Sequence, residues 1–452
     1  MLPLPRLALA IVALATCAIP CAAQIPAGYY APVDPTSATT LRTSVQALIR
    51  DHVRYPYTSS GTDTWNVLEA ADEDPQNPNN ILDLYRNQSV LKVGGGNAIY
   101  DREHTWPNSY GFPNDGGTNF PYTDCHALFL CDSSYNSSRG NNPYRACPTG
   151  CTERPTDLTN GAGGGSGVYV GNSNWRSGSG ASGSWETWVG RRGDVARALM
   201  YLDVRYAGGL SGAGVPEPDL ILTDNEALIA ASNTGNNESV AYMGMLSVLL
   251  QWNAQDPPDA KERRRNDVVF GFQTNRNPFV DHPEWADCVF TGACATGAGF
   301  CFGDGSATAC PCGNASGVGD AAGCRNSLGA GAKLTSMGHA SLSNDTLVLT
   351  GRFMPNSSAL YYQGDAQPGG GSGVTFGDGL RCAGGNVIRL AVKTISVGAS
   401  QYPDVADPRV SVKGGVVAAG TRHYQVWYRD AAVFCGASTF NLTNGWSVTW
   451  SP

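Results

Sequence analysis

Apolar positions repeat at helical spacing in the first two thirds of the chain and at strand spacing in the last third, with a break near residue 286. Leu41, Val45, Leu48 and Ile49 fall on one face and predict a helix over roughly 39–54. His52 extends that stripe as a packed or surface histidine. Trp65 to Ala71 reads as a short helix and Ile81 to Tyr85 as a strand. Gly193-Asp194 opens a helix whose buried face carries Val195, Ala198, Leu199 and Leu202, with Arg197 off the stripe. A second apolar helix is expected over about 239–252. A third starts at Asp256-Pro257-Pro258 and carries Lys261, Arg263, Arg264 and Arg265, either a phosphate-facing run or a solvated face.

Between these elements lie polar loops. Asp72-Glu73-Asp74-Pro75 reads as a solvated turn in preference to a calcium loop. Residues 142–185 are rich in Gly, Ser, Asn and Pro and predict a long loop, with Val168-Tyr169-Val170 as a short strand. Gly161 to Gly165 lacks the Lys-Ser/Thr of a phosphate-binding loop. Residues 286–330 are Gly-, Ala- and Cys-rich and read as a linker or disulfide-tied knot. Beyond them come β-type runs at Thr346 to Thr350, Val387 to Val392, Val410 to Val412, Tyr424 to Tyr428 and Trp446 to Trp450. These predict an antiparallel β-sandwich over 331–452, so the class is α+β: a mixed helix-and-strand domain over 24–285, the linker, then the accessory domain.

Composition narrows the setting. A net charge of −8 over 452 residues excludes wrapping of nucleic acid through the overall field and leaves only a local basic cleft. Residues 1–23 form a signal-like leader: Arg6, an apolar run from Leu7 to Ala15, and Cys21-Ala22-Ala23 before Gln24. Leu14-Ala15-Thr16-Cys17 is a poor lipobox, and no later stretch is apolar enough to span a membrane. A secreted or periplasmic protein is expected. Of the 14 cysteines, two lie in the leader, and the even remainder argues for disulfides. Cys310-Pro311-Cys312 does not have the spacing of a zinc ligand pair.

The chemistry concentrates in two stretches, Asp101-Arg102-Glu103-His104-Thr105-Trp106-Pro107 and Asp124-Cys125-His126 through Asn136-Ser137-Ser138-Arg139-Gly140-Asn141. Hydrolysing a phosphodiester needs a base for water, neutralisation of developing charge, and a stabilised leaving oxygen. His104 is the candidate base, an imidazole being largely neutral near pH 7. Glu103 and Asn136 offer oxygen ligands to Mg²⁺, with Mn²⁺ or Ca²⁺ as substitutes. Arg139, one helical turn after Asn136, is the candidate phosphate-holding residue. Asn141, Asp124 and His126 are candidates for orienting these groups. Adjacent strand residues point to opposite faces, so Glu103 and His104 converge only if the backbone twists there.

Taken in order, these motifs resemble the bacterial endonuclease I family, exported nucleases with a ββα-metal (His-Me) finger. The resemblance runs over about 28–285. It includes Asp72-Glu73-Asp74-Pro75, Arg102 to Pro107, Asp124-x-His126-x-Leu128 with Asn136 to Asn141, Gly193 to Ala198, and Asn275 to Pro283. It departs at Leu130, where family members often have proline. The resemblance implies nonspecific cleavage of DNA, and often RNA, with a single Mg²⁺ and 5′-phosphate products. It implies His104 as general base and Glu103 and Asn136 as metal ligands, brought together by the finger. The rival is a surface- or matrix-binding protein whose nuclease domain is inactive and whose β-sandwich meets a surface or polymer ligand.

Overall fold

The computed structural model describes residues 25–452 except 27, 36, 148, 405, 433 and 435; the leader expected over 1–23 lies outside the described residues. Its first part is built on α4, Arg192–Arg205, following α1 (Ala38–Ile49), α2 (Thr64–Ala71) and α3 (Ser133–Arg139). All of α4 is buried, not one stripe of it. Its charged residues tolerate this because each has a partner. Arg197 meets Glu262 at 2.5 Å, Arg205 forks onto Glu217 at 2.8 Å, and Asp203 takes Arg42. Leu41, Val45 and Ile49 of α1 close one side of the same core, and α5 (Leu246–Gln255) packs along another.

The helix α6 (Ala260–Gln273) is neither phosphate-facing nor a solvated face. Arg265 is buried against Asp72, Arg264 pairs with Glu73, and Arg263 pairs with Asp320. Its basic run is thus spent on holding α2, the Glu73–Asp74 strand and the 310–324 loop. The Asp72 to Asp74 acids are likewise committed, Asp74 to Ser89, Gln76 and Asn160.

The strand expected over Ile81 to Tyr85 is Asn77–Leu82, with Leu84 and Tyr85 in the turn after it, and four further expectations need correction. The helix expected over 239–252 is a strand, Val240–Met243, then α5; Val240–Met243 pairs in parallel with Asp219–Leu222, and pairing overrides the helical pattern. Val168 to Val170 is not a strand; the strand there is Ser173–Ser177, between Thr152–Pro155 and Ser184–Glu186. Val410 to Val412 lies in a short helix, Val410–Lys413. Cys125 and Cys131 are buried thiols, not disulfides, on opposite sides of the strand they flank or enter.

After Thr291 the described residues form two larger antiparallel sheets and a two-stranded hairpin, Val374–Phe376 with Gly379–Arg381. One contains the strands Ala298–Phe300, Gly445–Trp450, Gly420–Arg429, Ser358–Gly364 and Ile388–Thr394 in that order, with Phe440–Leu442 on the flank. The other is Lys333–Met337, Val348–Arg352 and Ser400–Tyr402. Leu334 and Leu349 from one sheet and Tyr361, Val426 and Trp450 from the other share one buried cluster, separate from that of α4. The 286–330 segment contributes a strand to the larger sheet and disulfides at Cys288–Cys294, Cys310–Cys324 and Cys301–Cys382. A fourth bridge, Cys147–Cys151, lies in the first part.

Candidate active site

Two strands and a helix place the candidate residues. β1 (Tyr100–His104) pairs antiparallel with β2 (Leu128–Asp132), with Glu103 opposite Phe129 and His104 opposite Leu128. β2 runs straight into α3. Asp132 ends the strand and caps the helix, accepting from the Ser134 and Tyr135 N–H groups at 2.8 and 3.3 Å. α3 stops at Gly140, whose φ of 54° suits glycine. At Leu130, where the family often has proline, the backbone N–H donates to Asp72 at 2.8 Å, a bond proline cannot make.

A cleft of about 330 Å³ opens at the end of β1, lined among others by Tyr57, Arg102, Glu103, His104, Asn136 and Asn141. Strand alternation puts Arg102 and His104 on one face and Glu103 on the other. Because β1 stops at His104, the cleft takes in side chains from both faces, which resolves the convergence problem.

His104 is held as a neutral imidazole with a defined tautomer. Its Nε2 lies 2.9 Å from the Tyr122 carbonyl oxygen, which can only accept, so Nε2 carries the hydrogen and Nδ1 keeps its lone pair. Nδ1 has no hydrogen-bond partner among the described residues. Tyr57 and Tyr122 pack on the ring, with centroids at 5.9 and 4.8 Å. Burial pulls the imidazole down to about 4, with Arg102 and Arg139 acting in the same direction.

Glu103 is 2% exposed. Its Oε1 accepts from Tyr85 at 2.8 Å and lies 3.3 Å from Arg139. Tyr85 in turn meets the Tyr144 hydroxyl at 2.6 Å. Burial pushes the carboxyl up to about 7, against the pull of Arg139 and Tyr85. The second oxygen is not used in hydrogen bonds among the described residues, and neither is the Asn136 amide. One carboxylate oxygen and one amide oxygen at a cleft fit a hard cation that keeps most of its water. No group of three or more His, Cys, Asp or Glu that could hold a metal occurs among the described residues.

Arg139 lines the same cleft as Glu103, His104 and Asn136 but is turned mostly into the protein. It is 1% exposed and donates to the His104 and Thr105 carbonyls at 3.2 and 2.7 Å. Its cation lies over the Tyr144 ring at 4.7 Å. In this geometry it braces the end of β1 and balances Glu103. Asn141 lines the cleft and donates to Ser109 at 3.0 Å.

Asp124 and His126 are not among the cleft residues. Asp124 accepts from Tyr201, Tyr206 and Gln273 at 2.8 to 3.1 Å, and His126 Nε2–H donates to the Asn275 carbonyl at 2.9 Å. His52 completes the cluster, its Nδ1 accepting from Arg205 at 3.2 Å and lying 3.7 Å from Asp124. Burial alone would raise the Asp124 carboxyl, but His52, His126, Gln273 and Arg205 outweigh it and hold it at about 2.

Sequence reasoning did not single out Tyr57, Tyr85 or Tyr144. Their only signal is long-range: Tyr85 and Tyr144 reach Glu103 from segments remote in sequence, which no local spacing reveals.

The Endonuclease I family model matches residues 37–284. An extracellular ribonuclease of Bacillus amyloliquefaciens is 41% identical over 265 residues, 58% of this chain and 78% of that protein. An extracellular ribonuclease of Bacillus subtilis (strain 168) is 38% identical over 265 residues, with the same shares. The chain belongs to the endonuclease I family and is a nuclease.

Proposed function

We propose that this endonuclease I family member is an exported endonuclease that hydrolyses the backbone of DNA and RNA, using one Mg²⁺ and leaving 5′-phosphate ends. The observation that carries it is His104: a neutral imidazole, its Nε2–H spent on Tyr122, its Nδ1 left to take a proton in a cleft that also holds Glu103 and Asn136. Nδ1 accepts a proton from the attacking water. Glu103 and Asn136 would hold Mg²⁺, which supplies charge neutralisation at the phosphate and the leaving oxygen; Mn²⁺ or Ca²⁺ could stand in. Arg139 and Tyr85 hold Glu103 in place, and Arg139 fixes the backbone that carries His104. RNA is included because the relatives are named ribonucleases.

Export is supported by the leader, by the disulfides and by the relatives' extracellular naming. Among the described residues no helix is long and apolar enough to cross a membrane. We read the two C-terminal sheets as a β-sandwich-like accessory domain for a surface or polymer ligand, folding apart from the nuclease. The test is cleavage of supercoiled DNA and of structured RNA by the oxidised protein, with Mg²⁺ and with EDTA. Cleavage of both only with Mg²⁺ is expected, by the full chain and by one ending after Cys294. No cleavage by folded protein overturns the reading.

A further inference from the structure

Beside the Mg²⁺ proposed above, a cleft that takes a polyanion needs a cationic side chain for the flanking phosphates. Between Arg102 and Arg139 the chain contains neither Lys nor Arg. Arg139, at the far end of that interval, lines the cleft but is only 1% exposed; its Nη donors are directed at backbone carbonyls and Glu103, and its unpaired Nε is buried. Elsewhere in residues 25–291 nearly every cation is already paired with a carboxylate. Among the described residues there, only Arg102, Arg154, Arg176 and the buried Lys261 form no ion pair. Of these four, Arg102 alone lines the cleft.

Its setting is a rigid slot. The guanidinium lies over the Tyr57 ring at 3.2 Å and the Trp65 ring at 4.2 Å. Tyr57 continues the stack onto His104, nearly parallel at 24°. Nη1 is spent on the Tyr57 carbonyl and on Thr64 Oγ1, and Nη2 uses one hydrogen on Thr58 Oγ1 at 3.2 Å. Nε has no partner but is buried away from solvent. A cation with no carboxylate partner, oriented by two aromatic planes and keeping one Nη2 hydrogen unspent, is suited to an anionic oxygen. Strand alternation sets it on the same face as the base, one position before the metal-ligand candidate.

We propose that Arg102 is the phosphate-binding residue of this cleft, contacting the substrate backbone beside the bond that His104 attacks. This rests on the nuclease reading above. Arg102 thereby takes the role that spacing suggested for Arg139, and Tyr57 becomes a positioning residue for both the guanidinium and the imidazole.

The experiment measures binding of a fluorescein-labelled single-stranded DNA oligonucleotide to the His104→Ala protein in Mg²⁺, across a series of NaCl concentrations. It is repeated with Arg102→Met and with Arg102→Lys added. Met keeps the unbranched stem in the slot and removes the charge. The expected result for Met is roughly tenfold weaker binding, with a salt slope shallower by about 0.7, the loss of one phosphate contact on a single strand. Arg102→Lys keeps the slope and binds at an intermediate strength. A purely structural role makes Met and Lys alike with the parent slope, and that result overturns the proposal. If Arg102→Met does not fold, Arg102→Gln replaces it in the same comparison with Lys. If the wild-type chain does not cut nucleic acid at all, the nuclease reading falls and this proposal falls with it; if it cuts and the slopes agree, only Arg102 is wrong.

Discussion

Glu103-His104 and Asp124-x-His126 offer the same chemistry on paper, an acid beside an imidazole in one family motif. The structure uses them in opposite ways. Glu103 and His104 sit at the end of a strand where the chain turns away, and both reach a cleft. Their atoms are half satisfied: one carboxylate oxygen and one ring nitrogen are tied to the protein, and the others are left for something else. Asp124 and His126 lie against α4, and the Asp124 oxygens are engaged on all sides by Tyr201, Tyr206, Gln273 and the His126 N–H. The difference lies in which lone pairs remain unspent, not in residue type. A buried acid with every oxygen occupied builds structure; one with an oxygen left facing solvent can hold a ligand.

That contrast can be broken at several points. The largest effect on stability is expected from Asp124→Ala. It strands two tyrosine hydroxyls and a glutamine amide beside the Arg205 cation, at a cost of about 3–5 kcal/mol. Urea unfolding would show the loss, while the molecules still folded cut at near the parental rate. A large rate loss in folded protein would instead put Asp124 in the reaction.

The next effect is on acid stability. His52 and His126 are each held down to about 4 by burial, from an ordinary value near 6.5, with Asp124 opposing that shift. The unfolded chain therefore binds more protons than the folded one between those values. Stability falls as pH drops from about 6.5 to 4, by up to about 3 kcal/mol per histidine. Asp124, held at about 2, loses its own contribution only below its unfolded value near 3.8. Chemical unfolding from pH 7 to 4 would test this, and a flat profile would count against the buried cluster. A smaller effect is expected from Glu103→Gln. It should weaken Mg²⁺ activation by at least about tenfold, about 1.4 kcal/mol, in a metal titration of cleavage. An unchanged titration would remove Glu103 from the metal site.

The sequence made the finger legible because its information is local. Asp101 to Pro107 and Asp132 to Gly140 carry the strand end, the cap and the helix stop within a few residues of the chemistry. What it did not reveal depends on distance. The burial of Arg139 follows from Tyr144 and Glu103 closing over it, and the basic run of α6 is neutralised by Asp72 and Glu73, some two hundred residues earlier, and by Asp320, after it. The pattern at Val240 to Met243 fits a helix until Asp219–Leu222 offers a parallel partner. Parity alone marks Cys125 and Cys131 as half-cystines, yet Cys125 belongs to the buried cluster of Leu128 and Leu130 and Cys131 to the separate one of Tyr85 and Tyr135.

The most direct measurement is turnover per folded molecule on nucleic acid in Mg²⁺, for His104→Ala beside His126→Ala. The account predicts that His104→Ala keeps its melting temperature and loses about 10²–10⁴-fold in rate. It predicts that His126→Ala melts earlier, yet its folded fraction turns over within about threefold of the parent, less than the 1.4 kcal/mol that a tenfold change would mean. A His104→Ala protein that still cuts, or a folded His126→Ala protein that does not, would contradict it.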